Sequence, residues 1–367
     1  AQEDPQLLLR STASADDCRL LWRYLREGGR VNAQRFWALI RHRVWGMGEP
    51  PPAPEPMPAV FAYTPASDSA VATVRDVQSH ALLLFYRAHA LAGNTAVFDA
   101  LWQALRQRGL RVSALAVDSL KSVATQQALR ALSQREGVDV VLNATGFASG
   151  RLDGVSTLLD GLVGDAPVLQ LITAGTTVER WRDDPHGLTP RDHAMHVVMP
   201  EVDGRIITRA ISGKSTGWRS GRAEVEVARY EPIGERIEWV AELARRWCVL
   251  RHGDPAQHRL ALILANYPGE DSRIGHAVGL DTPASVVAIL RALQRAGYTV
   301  GDVPDGAELL MQQLLAGVTH SVPHNAVRAA HQSLALQDYH AALATLPPPL
   351  REQLTQRWGP PERDPMV

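Results

Sequence analysis

Apolar residues at spacings of three and four over 16–27 and 31–45 (Leu21, Tyr24, Leu25; Phe36, Ile40) predict two amphipathic helices, broken at Gly28-Gly29. From residue 59 the period changes. Short apolar runs at 59–63, 81–86, 111–117, 138–145 and 166–175 alternate with helical patterns such as 95–109, which Gly109 closes. That alternation predicts a mostly parallel sheet with helices on both faces. Next, the run Val197-Val198-Met199 meets Pro200, and Glu201-Val202-Asp203-Gly204 leads into the alternating stretch 205–211. This predicts two short strands joined by a tight turn that carries Glu201 and Asp203.

Residues 222–230 can pair as a further strand, and 235–250 reads as a long helix with Ile237, Val240, Leu243, Ala244 and Trp247 on one face. A second strand–helix unit opens at 259–268. Its helix, over 282–300, should start with Thr282 as N-cap and Pro283 at the first helical position. The end of the chain, 305–358, reads as helices interrupted at Pro347-Pro348-Pro349.

The fold class that follows is α/β: two lobes of mostly parallel sheet with flanking helices, plus helical segments at both ends. The expected divisions are a helical segment 1–49, a proline-rich linker 50–58, a first lobe 59–231 with the Glu201 turn, a connecting helix 232–258, and a second lobe with the helical end over 259–367. The shared strand–loop–helix–strand order of the two lobes suggests an internal duplication.

Composition narrows the partners. Lys+Arg 38 against Asp+Glu 39 leaves a net charge of -1 over 367 residues, with no basic block to grip a phosphate backbone, so nucleic acid is excluded as an expected partner. Cys18 and Cys248 have neither disulfide-framework nor zinc spacing, and a reduced, cytoplasmic setting is expected. No apolar run approaches the roughly 18 residues of a membrane helix. A chain that starts at Ala1 and stops at Pro365-Met366-Val367 reads as an internal piece of something longer.

In open α/β sheets ligands bind outside the carboxyl ends of the strands. The residues that follow the predicted strands there are Arg87, His89 and Asn94; Asn143 and Thr145; Gly175-Thr176-Thr177; Glu201 and Asp203; and Asn266-Tyr267 with Arg273, His276 and Asp281. Such residues suit a ligand bearing several carboxylates or amides. Asn94 and Asn143 equally suit backbone turns. Ser212-Gly213-Lys214-Ser215 is like the end of a phosphate loop, but Thr208 stands where that loop needs glycine, which argues against a nucleotide site. His193 and His196, with Asp192, lack a third partner at metal-ligand spacing.

Longer stretches carry a more specific signal. FYRAHALAGNTAVFDAL, DVVLNATGFA, APVLQLITAGTTVERW, GLTPRDHAMHVVMPEVDGRIITRAIS, LALILANYPGEDSRIGHAVGLDTPASVVAILRALQRAGY and RWGPPERDP run in order from about residue 20 to the end. They resemble the large subunit of aerobic, ATP-dependent cobaltochelatases (CobN), with the magnesium chelatase H subunit as a more distant relative. The resemblance implies that the full protein binds a tetrapyrrole, hydrogenobyrinic acid a,c-diamide, and takes Co(II) as its substrate metal. It also implies that ATP with Mg(II) is bound and hydrolysed on separate AAA+ partner subunits, CobS with CobT.

Metal insertion needs removal of ring N–H protons and stripping of water from the metal, and a carboxylate can serve as proton acceptor and transient oxygen ligand. On that basis Glu201 is the expected catalytic residue and metal ligand, Asp203 a second carboxylate that orients the turn, and His276 a proton shuttle. Arg87, His89, Asn94, Asn143, Thr145, Arg205, Asn266, Tyr267 and Arg273 are expected to engage the corrinoid. Gly213-Lys214 departs from the family pattern, so no ligand role carries over to Lys214. Two other readings stand beside this one: magnesium insertion into protoporphyrin, and a non-catalytic binding module. The isolated piece is expected to be inactive. A two-lobed sugar-binding protein would fit the bare α/β pattern by fold analogy alone.

Overall fold

The computed structural model describes residues 6, 9–66, 79–149, 159–215, 218–221, 224–265, 271–319, 328–330 and 332–364. The chain divides into two units, Ala1–His252 and Gly253–Val367.

In the first unit the sequence's opening pattern forms the helices Ala15–Glu27 and Gly29–Trp45, separated at Gly28, whose φ of 70° suits glycine. Ser14 caps the first through the Asp17 N–H. The proline-rich residues that follow lie along this pair, tied to it by hydrogen bonds. The Tyr24 hydroxyl donates to the Pro52 carbonyl, and the Asn32 amide brackets Glu55, donating to its carbonyl at 2.8 Å and accepting from its N–H at 2.9 Å.

Beyond them lies a sheet of seven strands: β1 (Val60–Tyr63), β2 (His80–Tyr86), β3 (Arg111–Val117), β4 (Val140–Asn143), β5 (Val168–Thr173), β6 (Ile206–Lys214) and, paired last, Tyr230–Pro232. Between β6 and that last strand the ribbon β7 (Trp218–Arg219) with β8 (Glu226–Val227) stands apart, so Tyr230–Pro232 is β9. The order is β1-β3-β2-β4-β5-β6-β9; the five inner strands are parallel, and β1 and β9 pair antiparallel at the edges. The single strand expected over 222–230 is thus two short pieces in different sheets.

Strand β2 is apolar throughout because both of its faces are covered. Ala81, Leu83 and Phe85 meet the helices Ala96–Gln107 and Gly234–His252, while Leu82 and Leu84 meet Val123–Glu136. Phe85 and Phe98 stack at 4.1 Å. The long helix over 234–252 lays Ile237, Val240, Ala241, Ala244 and Cys248 into the first of these cores. Burial pushes the Cys248 thiol up to about 11.

Two expected strands are not strands. Residues 190–202 form one helical run: Pro190–His193, a wide π turn Ala194–Val198, and a last α turn Met199–Val202. Thr189 caps it through the Asp192 N–H. Pro200 accounts for the wide turn, since proline has no N–H to give and its ring crowds the preceding turn. The Met199 N–H goes to the Ala194 carbonyl, and the Met195 carbonyl, left without a helical donor, accepts from the Phe147 N–H at 2.9 Å.

In the second unit the apolar residues 259–265 have no strand partner among the described residues; Leu260, Leu262 and Ile263 are exposed, whereas Leu264 packs beside Val286, Val287 and Leu310. A strand needs a neighbour for its N–H and C=O groups; here the Ala265 carbonyl accepts from the Gly275 N–H at 2.9 Å, but no ladder forms among the described residues. The helix Thr282–Arg295 is present, but its N-cap is Asp281, which accepts from Ala284 N–H at 3.0 Å, one residue earlier than expected.

Candidate functional site

The chain leaves β2, visits β3 on one side, and returns to β4 on the other, so the strand order reverses between β2 and β4. A crevice outside the carboxyl ends at such a reversal is where open α/β sheets bind ligands. The walls of this crevice are the turn after β2 and the loop after β4. The Tyr86 hydroxyl bridges them, donating to the Gly146 carbonyl at 3.1 Å. A Cβ on Gly146 would come within 3.3 Å of the Met195 carbonyl and 3.5 Å of the His196 ring, so glycine lets the loop reach the π turn.

The next residue, Phe147, has a φ of 65°, unfavourable for a side chain of its size, and leaves its ring 48 % exposed. Its backbone is held there by the bond to Met195. Strained backbone persists where the surroundings over-determine it, and it gathers at functional sites. The π turn beside it is of a kind that also recurs at such sites. It carries His196, which is buried, with its Nδ1 making no hydrogen bond; burial depresses the imidazole pKa, against a smaller upward pull from Asp192.

These loops meet a buried polar network, in which Arg205 Nε alone among the arginine's nitrogens makes no hydrogen bond. Arg205 Nη2 reaches the Asp203 carboxylate at 2.6 Å and the Ser149 hydroxyl at 3.0 Å, while Nη1 reaches Gln170 Oε1 at 3.0 Å. Gln170 Oε1 also accepts from Asn143 Nδ2 at 3.0 Å, and the Asn143 oxygen accepts from the Thr145 hydroxyl at 2.9 Å. Asp203 takes both the N–H and the hydroxyl of Ser149. All six side chains belong to buried residues. Burial lowers the Arg205 pKa and the Asp203 carboxylate draws it back up. A cavity of about 150 Å³ adjoins the network, lined by Ser149, Pro167, Asp203, Gly204 and Arg205.

Glu201 stands outside this network. It occupies the last turn of the helical run, exposed; its carbonyl accepts from the Gly204 N–H at 2.9 Å, and its carboxylate makes no hydrogen bond or ion pair with the described residues. The Asp203–Arg205 pair therefore fixes the turn on which Glu201 is carried.

A family model described as CobN/Magnesium Chelatase matches residues 22–367. The chain belongs to this family. It is 40 % identical to the aerobic cobaltochelatase subunit CobN of Pseudomonas aeruginosa over 99 % of its own length and 29 % of that protein. It is 38 % identical to CobN of a Sinorhizobium species over the same shares. To the H subunit of magnesium chelatase from Cereibacter sphaeroides it is 26 % identical, over 87 % of this chain and 28 % of the relative. Among solved structures, the catalytic subunit of cobaltochelatase from Mycobacterium tuberculosis superposes with a TM-score of 0.69 at 31 % identity, covering 100 % of this chain and 30 % of that one. The chain thus spans under a third of the length of these relatives.

Within this CobN/magnesium chelatase section the sequence-predicted residues separate by place. Asn143, Thr145, Asp203 and Arg205 come together, but as one another's partners. Their polar groups hold the loops, so they are not open rim contacts. Arg87 is likewise engaged, donating to the Met57 and Pro58 carbonyls. His89 packs edge-on against Phe98 and Tyr230, burial depresses its pKa, and Asn94 accepts from the Tyr230 N–H at 3.1 Å. Arg273 and His276 lie in the second unit, both exposed, while Asn266 and Tyr267 fall outside the described residues. Among the described residues no group of three His, Cys, Asp or Glu converges to hold a metal. No helix of the described residues is long and apolar enough to cross a membrane.

Sequence reasoning missed Gln170, Ser149 and Phe147. Gln170 had a signal, a long polar side chain in the middle of the apolar strand VLQLIT.

Proposed function

We propose that this chain is a section of the large, tetrapyrrole-binding subunit of an aerobic cobaltochelatase, which inserts Co(II) into hydrogenobyrinic acid a,c-diamide. The observation that carries the reading is the 40 % identity to Pseudomonas CobN across 99 % of the chain, against 26 % for the magnesium chelatase relative. ATP with Mg(II) is bound and hydrolysed on the AAA+ partners CobS and CobT, in the cytoplasm, and this chain supplies tetrapyrrole and metal contacts.

Glu201 acts from the exposed turn that leads into β6. Its exposed carboxylate accepts the ring N–H protons and, as an oxygen ligand, exchanges for water on the incoming cobalt ion. Asp203 and Arg205 hold the turn from below, which keeps the carboxylate on a rigid mount. Phe147 offers an apolar ring to the face of the macrocycle, and its backbone pays no further ordering entropy on binding.

A spectroscopic titration tests the reading, with hydrogenobyrinic acid a,c-diamide and protoporphyrin compared on the wild-type chain and on Glu201→Gln. Selective, saturable binding of the corrinoid by both proteins is the expected result. Preference for protoporphyrin would assign the chain to magnesium insertion. Binding of neither would leave it a scaffold for the rest of the large protein.

A further inference from the structure

In the second unit two stretches without regular structure flank one helix: residues 259–265 precede the helix Thr282–Arg295, and 298–303 follow it. Leu260, Leu262 and Leu264 alternate with Ala261, Ile263 and Ala265, which is the period of a strand. Leu264 packs with Leu290 and Val303 against Val286, Val287 and Leu310, while Ile263 is 92 % exposed. Leu260 and Leu262 line a cavity of about 300 Å³ together with Leu290, Leu293, Tyr298 and Val300. The Thr299 hydroxyl donates to the Ala256 carbonyl at 2.8 Å, which holds the second stretch beside the residues that lead into the first.

Neither stretch has a ladder. Among the described residues, 259–264 and 299–303 make no backbone–backbone hydrogen bond with each other or with any neighbour. In the first unit the same order of strand, helix and strand, from β2 to β3, is completed by β1 on one side and β4 on the other. Here the helix Thr282–Arg295 covers one face and Ile263 is left bare on the other, whereas a parallel sheet is covered on both. From Leu260 to Ala265 there is no charge and no proline, the devices that protect an edge meant to stay free.

We infer that these two stretches are the first strands of a sheet that accepts an added strand, contributed by the part of the same large subunit that this chain does not span. The inference rests on the reading of the chain as a section of that subunit. The relatives have the length for it, since the chain covers 29 % of Pseudomonas CobN and 30 % of the Mycobacterium tuberculosis subunit. An added strand takes up the N–H and C=O groups of 259–264, and its apolar side chains enter the cavity. A small ligand fits less well, because it leaves that row of backbone groups unpaired. A second copy of the chain also fits less well: an edge without charge or proline, left free between copies, joins indiscriminately, which natural edges are built to avoid.

Hydrogen–deuterium exchange tests this on the complete large subunit and on the 367-residue chain. The amides of 259–264 and 299–303 should exchange quickly in the chain and at least about 100-fold more slowly in the complete subunit, as in an interior ladder. A photo-crosslinking residue in place of Ile263 in the complete subunit should be captured by residues of the same polypeptide that lie outside these 367. Ile263→Asp should lower the Tm of the complete subunit and leave that of the chain unchanged, and the wild-type exchange decides even where this variant fails to fold. Equal exchange in the two proteins, or capture within the 367 residues, by a second copy or by another protein, would overturn the proposal. The corrinoid titration can fail without moving either readout, so loss of the chelatase reading and loss of this one are told apart.

Discussion

Asp203 and Arg205, two residues apart, form a buried ion pair whose Nη2–carboxylate distance is 2.6 Å, both side chains being almost fully enclosed. Removing one partner strands the other charge in a medium that cannot solvate it. Arg205→Met or Asp203→Asn should therefore each cost about 3–5 kcal/mol, whereas removing both together should cost less than the sum. Urea midpoints of the two single variants and the double variant check this.

Glu201→Gln touches none of that network. Stability should stay within about 0.5 kcal/mol of wild type, as for other exposed positions. Metal insertion by the complete chelatase should fall by about 10²-fold or more, the range of a lost proton acceptor, while corrinoid binding persists. An insertion assay beside the spectroscopic titration separates the two effects.

Gly213 sits where a Cβ would come 2.6 Å from Val178 Cγ2 and 2.9 Å from the Val178 backbone nitrogen. The obstacle includes backbone, so Gly213→Ala must displace the helix Val178–Asp183 and should cost about 1–3 kcal/mol. Thermal melting measures it.

Phe147→Gly should stabilise the chain by about 1–2 kcal/mol, the penalty a side chain carries in left-handed backbone, whereas Phe147→Ala keeps that penalty and gains nothing from it. Denaturation of the pair distinguishes backbone strain from loss of the ring.

His80 is buried, with Nδ1 at the Gly137 carbonyl and Nε2 2.9 Å from the Ser113 hydroxyl. Burial lowers its pKa below 6.5, and the nearby Gly137 carbonyl only partly opposes this. The folded state thus resists the proton that the unfolded chain accepts. Its contribution is complete above the unfolded pKa of 6.5 and is lost as pH falls below that value toward the folded pKa. His89 and His196 act in the same direction. Urea midpoints should drop between about pH 7.5 and about pH 5.5, and less steeply in His80→Gln.

The inner sheet was legible because β2, β4 and β5 are covered on both faces, and continuous apolar runs between helical patterns have few other solutions. The Glu201 segment was not. Val197 and Val198 are β-branched and sit before a proline, which imitates the end of a strand; what makes them helical is the Thr189 cap at one end and a carbonyl at Met195 satisfied from a loop almost fifty residues earlier in the chain. Such a long-range donor leaves no local trace. The run 259–265 misled for the opposite reason, since its pattern is that of a strand and the described residues offer no edge to receive it. At the site, residue type picked out Asn143, Thr145, Asp203 and Arg205 but could not tell that their groups satisfy one another, because that pairing joins three separate stretches of chain.

The wide turn at 194–198 has a geometric corollary. A π turn holds one residue more than an α turn, so it amounts to an insertion absorbed within a helix. Each residue of an α-helix advances the side chain by about 100° around the axis. Deleting one residue there would relax the turn to ordinary α geometry and change which residues before the turn share a face with Glu201, so the extra residue helps to set the bearing of the carboxylate.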